Sequence, residues 1–255
     1  MTDAATLSDA EFAELLAQSG VPTQMQAAGR IKALLARLGG AAAPTAALLK
    51  TCLPGCPDPA GWVKPIAAAW ARFGIDTPQR QAAWIAQCGH ESGDLTALSE
   101  NLTYTSADRL RKVFPSFFVT GAYKAEGYVG QPQKLANLVY GGRLGNRPGT
   151  DDGWRFRGAG LVQLTFRSGF EGFGKAVGMT AEDAADYART RDGAAMSAAW
   201  YFADRGLLAL ADKGDFDGIV AKTAGLTLTP AVKDRIAYAD RAARYGRAFA
   251  ALKGA

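Results

Sequence analysis

Histidine is nearly absent from this 255-residue chain, where His90 stands alone. A HExxH zinc site, or a Ser-His-Asp triad built on a second imidazole, therefore lacks its raw material, and there is no GxSxG nucleophile turn. Cysteine is scarce too. Cys52, Cys56 and Cys88 are an odd set that builds no disulfide framework. A Cys52–Cys56 pairing stays open, with reduced thiols the default in a cytosolic product. These cysteines and His90 are zinc-ligand types, but C-x3-C and C-x-H match no structural zinc spacing, so no metal is expected. No apolar run approaches the roughly 20 residues of a membrane helix, which argues against stable membrane insertion. The N-terminus, MTDAATLSDAEFAELL, has no basic n-region and no apolar h-region, so no secretory signal is expected.

What is present is ordinary for a soluble globular chain: 48% of residues are apolar and 21% charged. The length suits one sizeable domain with an appended segment, or two small domains. A formal charge of +5 and a pI near 9.1 favour polyanionic surroundings. Acid-bearing wall polymers, lipopolysaccharide and nucleic acid all qualify by charge. No nucleic-acid-binding module accompanies it, so nucleic acid is not expected as a partner.

The stretch 77–104, TPQRQAAWIAQCGHESGDLTALSENLTY, organises the rest. Thr77 is a good N-cap, Pro78 suits the first helical position, and Gly93 is a natural C′ residue. Ala82, Ala83, Ile85 and Ala86 give the helix an apolar surface. Glu91 then falls in the last turn, where the helix end disfavours a carboxylate and Trp84 would desolvate it. Both effects raise an acid's pKa, as a proton donor requires. Glu100 follows nine positions later. Two carboxylates in different surroundings are what glycosidic cleavage uses, although two glutamates are also ordinary surface charges.

The segment AQCGHESGDLTALSENLTY resembles the catalytic segment of family 19 glycoside hydrolases, in their endolysin and bacterial chitinase branch. YGGRLGN at 140–146 and GWRFRGAGLVQLT at 153–165 match it as well. The resemblance implies a mainly α, lysozyme-like helical domain with a substrate cleft. It implies Glu91 as acid and Glu100 as base of an inverting hydrolysis, with Thr165 helping to hold the attacking water and Gln163 lining the cleft. The carboxyls of such a pair stand about 6.5–9.5 Å apart. Tyr104, Tyr140, Arg143, Asn146 and Trp154 are the further candidates for sugar contact. Arg143 is also a candidate partner of Glu100, and Tyr140 to Asn146 read equally as a tight glycine turn. Two positions depart from the family pattern: Ala159 replaces an arginine, and Gly169 an asparagine.

Residues 1–57 are expected to be an N-terminal helical segment that binds wall or partner, or packs on the main domain of 58–255. CLPGCPDPAG, 52–61, is the linker candidate. Helices are expected over 62–73, from Ser106 to before Pro115, over 132–139, twice within 180–211, and over 230–250. Trp62, Trp70, Met196, Trp200, Tyr201 and Phe202 read as core. The run 160–165 alternates as an extended segment would. GFEGFGKA at 169–176 nearly spells a phosphate loop but has Ala176 where Ser or Thr is needed, so it reads as a turn into a helix. The last helix carries Lys233, Arg235, Arg241, Arg244 and Arg247, a solvated face or an envelope-binding surface.

The expected protein is a monomeric lytic glycosidase acting on β-1,4 amino-sugar bonds of peptidoglycan strands, without cofactor. It would be made in the cytoplasm and reach the wall through a holin or secretion apparatus. Chitin is the alternative polymer. A wall-binding protein on a degenerate catalytic fold is the alternative of another class, suggested by Ala159 and Gly169.

Overall fold

The computed structural model describes residues 43–253. The helices expected before residue 40, and any module they form, lie outside that range. In chain order the helices are α1 (Ala46–Cys52), α2 (Pro59–Phe73), α3 (Pro78–Ser92), α4 (Ala107–Val113), α5 (Pro115–Phe118) and, after a 3-10 turn at Ala125–Tyr128, α6 (Pro132–Tyr140). Then come α7 (Asp152–Arg155), α8 (Arg167–Val177), α9 (Ala181–Tyr187), α10 (Arg191–Asp204), α11 (Leu207–Asp212), α12 (Phe216–Ala224), α13 (Pro230–Arg235) and α14 (Tyr238–Lys253). The expected mainly α class is observed, and among the described residues β-pairing is limited to isolated bridges.

Local chemistry sets the helix starts. Thr77 accepts from the Arg80 N–H with Pro78 in the first turn, and Ser106 accepts from the Arg109 N–H in the same way. α3 is the hub. Ala82, Ala83, Trp84, Ile85 and Ala86 are all fully buried, and α14 packs against the helix. Trp84 meets Trp70 of α2 edge-to-face at 5.8 Å, so its indole belongs to the core. A second apolar cluster joins Phe156, Leu164, Phe170, Phe173 and Trp200, and a third joins Leu102, Leu110, Phe118, Leu135 and Val139.

Several connections differ from the sequence expectation. The stretch 52–61 is no free linker: Cys52, Leu53 and Cys56 are buried in the α2–α3 core, because α1 packs on α14. The extended run at 160–165 is a closed loop in which Ala159 and Leu164 exchange both backbone hydrogen bonds. The glycines of 169–176 lie inside α8, where they admit close neighbours. A Cβ on Gly172 would stand 3.1 Å from the Trp200 ring. Three helices fill 180–211, interrupted at Ala188–Thr190 and at left-handed Gly206. The final helix is two, broken where Ala237 takes a φ of 51°. No described helix is long and apolar enough to cross a membrane.

Candidate active site

Glu91 sits in the last turn of α3, as the capping pattern predicts, but its surroundings are ionic. Arg241 of α14 places Nη1 2.6 Å from Glu91 Oε1. The same Nη1 donates to Gln87 Oε1 at 2.5 Å, one turn earlier on α3, and Nε donates to the Ile236 carbonyl at 3.2 Å. The expected apolar wall from Trp84 is therefore replaced by a buried cation. Glu91 Oε2 has no partner among the described residues. His90 is a hydrogen-bonding strut: Nδ1 meets Asp240 Oδ2 of α14 at 2.7 Å.

Beyond Ser92 the chain reverses through three successive left-handed residues, Gly93, Asp94 and Leu95, with φ of 59°, 59° and 66°. For the two non-glycines this costs about 1–2 kcal/mol each, and the neighbours hold them there. Asp94 accepts from the Gly55 N–H at 2.8 Å and from Arg244 of α14, while the Leu95 N–H donates to Ser92 Oγ at 2.9 Å. The reversal lays 98–100 beside 158–160. Gly160 donates to the Leu98 carbonyl at 3.0 Å, and Glu100 donates to the Gly158 carbonyl at 2.8 Å.

Glu100 is gripped through both carboxylate oxygens. Tyr140 Oη donates to Oε1 at 2.6 Å, and the Gly158 N–H donates to Oε2 at 3.1 Å. Burial and this bond push the Tyr140 phenol well above its ordinary range, which keeps it a donor. Burial, with the Glu100 charge second, raises the Tyr104 phenol as well. A Cβ at Gly158 would meet Gln163 Oε1 at 2.7 Å and Glu100 Cβ at 3.2 Å, so any side chain there would displace Gln163 and press on Glu100. Gln163 is itself left-handed, at a φ of 50°, and donates Nε2 to the Gly160 carbonyl at 3.0 Å. Thr165 is half-buried and donates Oγ1 to the Gln163 carbonyl at 2.8 Å. Tyr104, Tyr140, Gln163 and Thr165 are thus gathered around Glu100 or its immediate supports.

The remaining candidates sit differently. Arg143 pairs with no carboxylate among the described residues: it donates to the Val139 carbonyl at 3.0 Å and lies over the Phe166 ring. Asn146 is buried, and its amide is taken up internally, donating to the Tyr140 carbonyl at 2.9 Å and accepting from the Arg167 N–H at 2.8 Å. Arg167 and Arg147 in turn clamp buried Asp152. Trp154 lies on α7 under the Arg157 guanidinium, 3.6 Å from the ring centroid. Ala159 is fully buried in the second apolar cluster, and Gly169 lies inside α8 against Leu164. Arg241, Gln87, Asp94 and Arg157 went unnoticed as site residues in the sequence. For Gln87, a polar residue on an otherwise apolar helix was the available sign. A surface depression of about 380 Å³ on α6, lined by Gln131, Gln133, Lys134 and Asn137, contains no candidate residue. Among the described residues no group of His, Cys, Asp and Glu is arranged to hold a metal ion.

No family model matches the chain. A glycosyl hydrolase family 19 domain-containing protein of Haemophilus influenzae is 35% identical over 146 residues, covering 56% of this chain and 70% of that protein. Chitinase C from Streptomyces griseus HUT6037 shares the fold, with a TM-score of 0.55, 14% identity, and coverage of 83% of this chain and 77% of that one. A chitinase C mutant superposes with the same score at 13% identity. The lysozyme-like, chitinase-like helical fold expected from the three motifs is therefore the observed one. With a relative of that identity and coverage, and carboxylates at both motif positions, the chain belongs to glycosyl hydrolase family 19 and is a glycoside hydrolase.

Proposed function

We propose that this glycosidase cleaves the β-1,4 bond between amino sugars of peptidoglycan by an inverting acid–base mechanism. The observation that carries the scheme is the contrast between its two carboxylates. Glu100 accepts from a phenol and a backbone N–H, an arrangement that suits an ionised group. It acts as base, drawing a proton from water that Thr165 helps to orient. Glu91 has one oxygen fixed by Arg241 and the other free to carry a proton to the departing sugar oxygen. Arg241 then faces the carboxylate that Glu91 becomes, stabilising charge that develops as the bond breaks. No metal or organic group enters the scheme. The basic balance of the chain, +5 overall, favours an acid-bearing polymer over neutral chitin.

Mass spectrometry of digested peptidoglycan tests this directly, because new reducing ends name the broken bond. Glu91→Gln is expected to keep the fold and wall binding while losing nearly all release of reducing ends. Digestion of chitin with peptidoglycan left intact would reassign the polymer. A Glu91→Gln protein that still clears cells would discard the acid–base mechanism.

A further inference from the structure

One cation beside Glu100 has no part in that scheme. Arg157 precedes Gly158, whose N–H holds the Glu100 carboxylate. The guanidinium lies against the Trp154 indole at 3.6 Å and donates Nη1 to the Trp154 carbonyl at 2.8 Å. Its Nε is buried without a partner, whereas Nη2 has no partner among the described residues and is not sealed from solvent. No described carboxylate is within ion-pair distance; Glu100 and Asp186 act on it only through longer-range attraction.

The ground beneath it is also basic. Arg189 donates Nη2 to the carbonyls of Arg155 and Arg157, at 2.9 and 3.3 Å. Its nearest carboxylate, Asp186 at 4.0 Å, is engaged more closely by Arg155 at 2.8 Å. Burial first, then the neighbouring Arg157 charge, push Arg189 down to about 10. Three guanidiniums thus share one committed acid. Burial likewise lowers Arg157, so the folded protein holds there a partly desolvated cation lacking its counter-ion. Stacking on the indole fixes the plane of the guanidinium, and Nη2 is the donor it leaves open to an incoming anion.

We propose that Arg157 receives a carboxylate of the substrate, carried on the muramyl substituent of a sugar seated beside Glu100. This rests on the glycosidase reading above and deepens it, since the residue then selects an acid-bearing amino-sugar chain over chitin. The acid is the lactyl carboxylate where it is free, or a carboxylate of the stem peptide where the lactyl group is amide-linked.

The test compares full-length wild type and Arg157→Gln on matched soluble oligomers. These are N-acetylglucosamine–N-acetylmuramic acid chains with free lactyl acids, the same chains amidated, chains bearing stem peptides, and N-acetylglucosamine oligomers. The expected result is a kcat/KM loss of about tenfold, or 1.4 kcal/mol, on acid-bearing chains, carried by KM. On amidated chains and N-acetylglucosamine oligomers the change should stay within about twofold. Arg157→Lys, which keeps the charge without the planar fork, should fall between, and it decides the matter if the glutamine variant folds poorly. Loss confined to free-lactyl or to stem-bearing chains supports the assignment and says which acid is held. An equal loss on every chain would mean that Arg157 only braces Trp154, and would overturn it. Calorimetric binding of the same oligomers in a Glu91→Gln background separates the two readings. Acid-selective weakening by Arg157→Gln there sustains the assignment even if wild type cleaves none of the chains, in which case the glycosidase reading alone falls.

Discussion

Glu100 can only accept hydrogen bonds while ionised, and the structure supplies it with two donors of different kinds. The Gly158 N–H is fixed by the backbone, but the Tyr140 phenol can be removed without touching the main chain. Tyr140→Phe should lower kcat about tenfold, the order of one hydrogen bond to a charged group, with little change in substrate binding. A comparable rise in KM instead would mean that Tyr140 chiefly touches sugar. The sequence pointed to Tyr140 through its motif, and the structure brings its hydroxyl to Glu100. Its partner was not legible, because a tyrosine before two glycines reads equally well as a sugar platform. Arg143 shows the opposite failure. The motif's resemblance suggested a pairing with Glu100, but the turn that follows α6 returns the side chain to the Val139 carbonyl and the Phe166 ring.

At the scale of elements, the turn between α6 and α8 has to hold Tyr140 steady with little regular structure of its own. A polar relay does this. Asn146 ties the Tyr140 carbonyl to the Arg167 N–H, and Asp152 grips both Arg147 and Arg167. Hydrogen bonds from Arg147, with help from Arg167, hold the Asp152 carboxyl well below its ordinary value of 3.8. A depressed acid contributes stability that is present above the unfolded value and lost as pH falls through the folded one. Asp152→Asn should therefore lower stability at pH 7 by about 2 kcal/mol. That figure is below the usual cost of breaking a buried pair, because Arg147 is exposed and Arg167 keeps Glu182. Thermal melts should show the gap from wild type closing as pH drops below about 4. A gap that is constant with pH would mean packing, and not charge, is lost. Helix starts such as Thr77 and Ser106 could be read from sequence because a cap is local. The relay could not, since Asp152 and Arg167 look like any surface pair until the chain folds.

Across the described residues, the two ends of that range meet at α3, the helix that carries Glu91. α1 lies on α14, and α14 lies on α3, with Leu53 and Arg244 both approaching Gly89, where a Cβ would come within 2.3 Å of the leucine. The arginines of α14 were expected to face solvent or an anionic envelope. Arg241 instead turns inward to Glu91 and Gln87, and Arg244 to Asp94 and Asp240. Helical spacing discloses only the Arg244–Asp240 pair, four positions apart; Glu91 and Asp94 lie 150 positions before the arginines they meet. Arg241 is buried, at 8% side-chain exposure, while Glu91 keeps 30%. Arg241→Met preserves the stem volume and strips the charge, leaving the Glu91, Gln87 and Ile236 acceptors facing an apolar group. The expected cost is about 2–3 kcal/mol, at the low end for a broken buried pair because water still reaches Glu91. It should appear as a lower denaturant midpoint with an unchanged slope. The same substitution in a Glu91→Gln background should cost about 1 kcal/mol less, since part of the loss is the uncompensated carboxylate. Equal costs in both backgrounds would show that Arg241 serves only to dock α14. Coupling in stability together with a fall in kcat would show that the C-terminal helix positions the proposed proton donor.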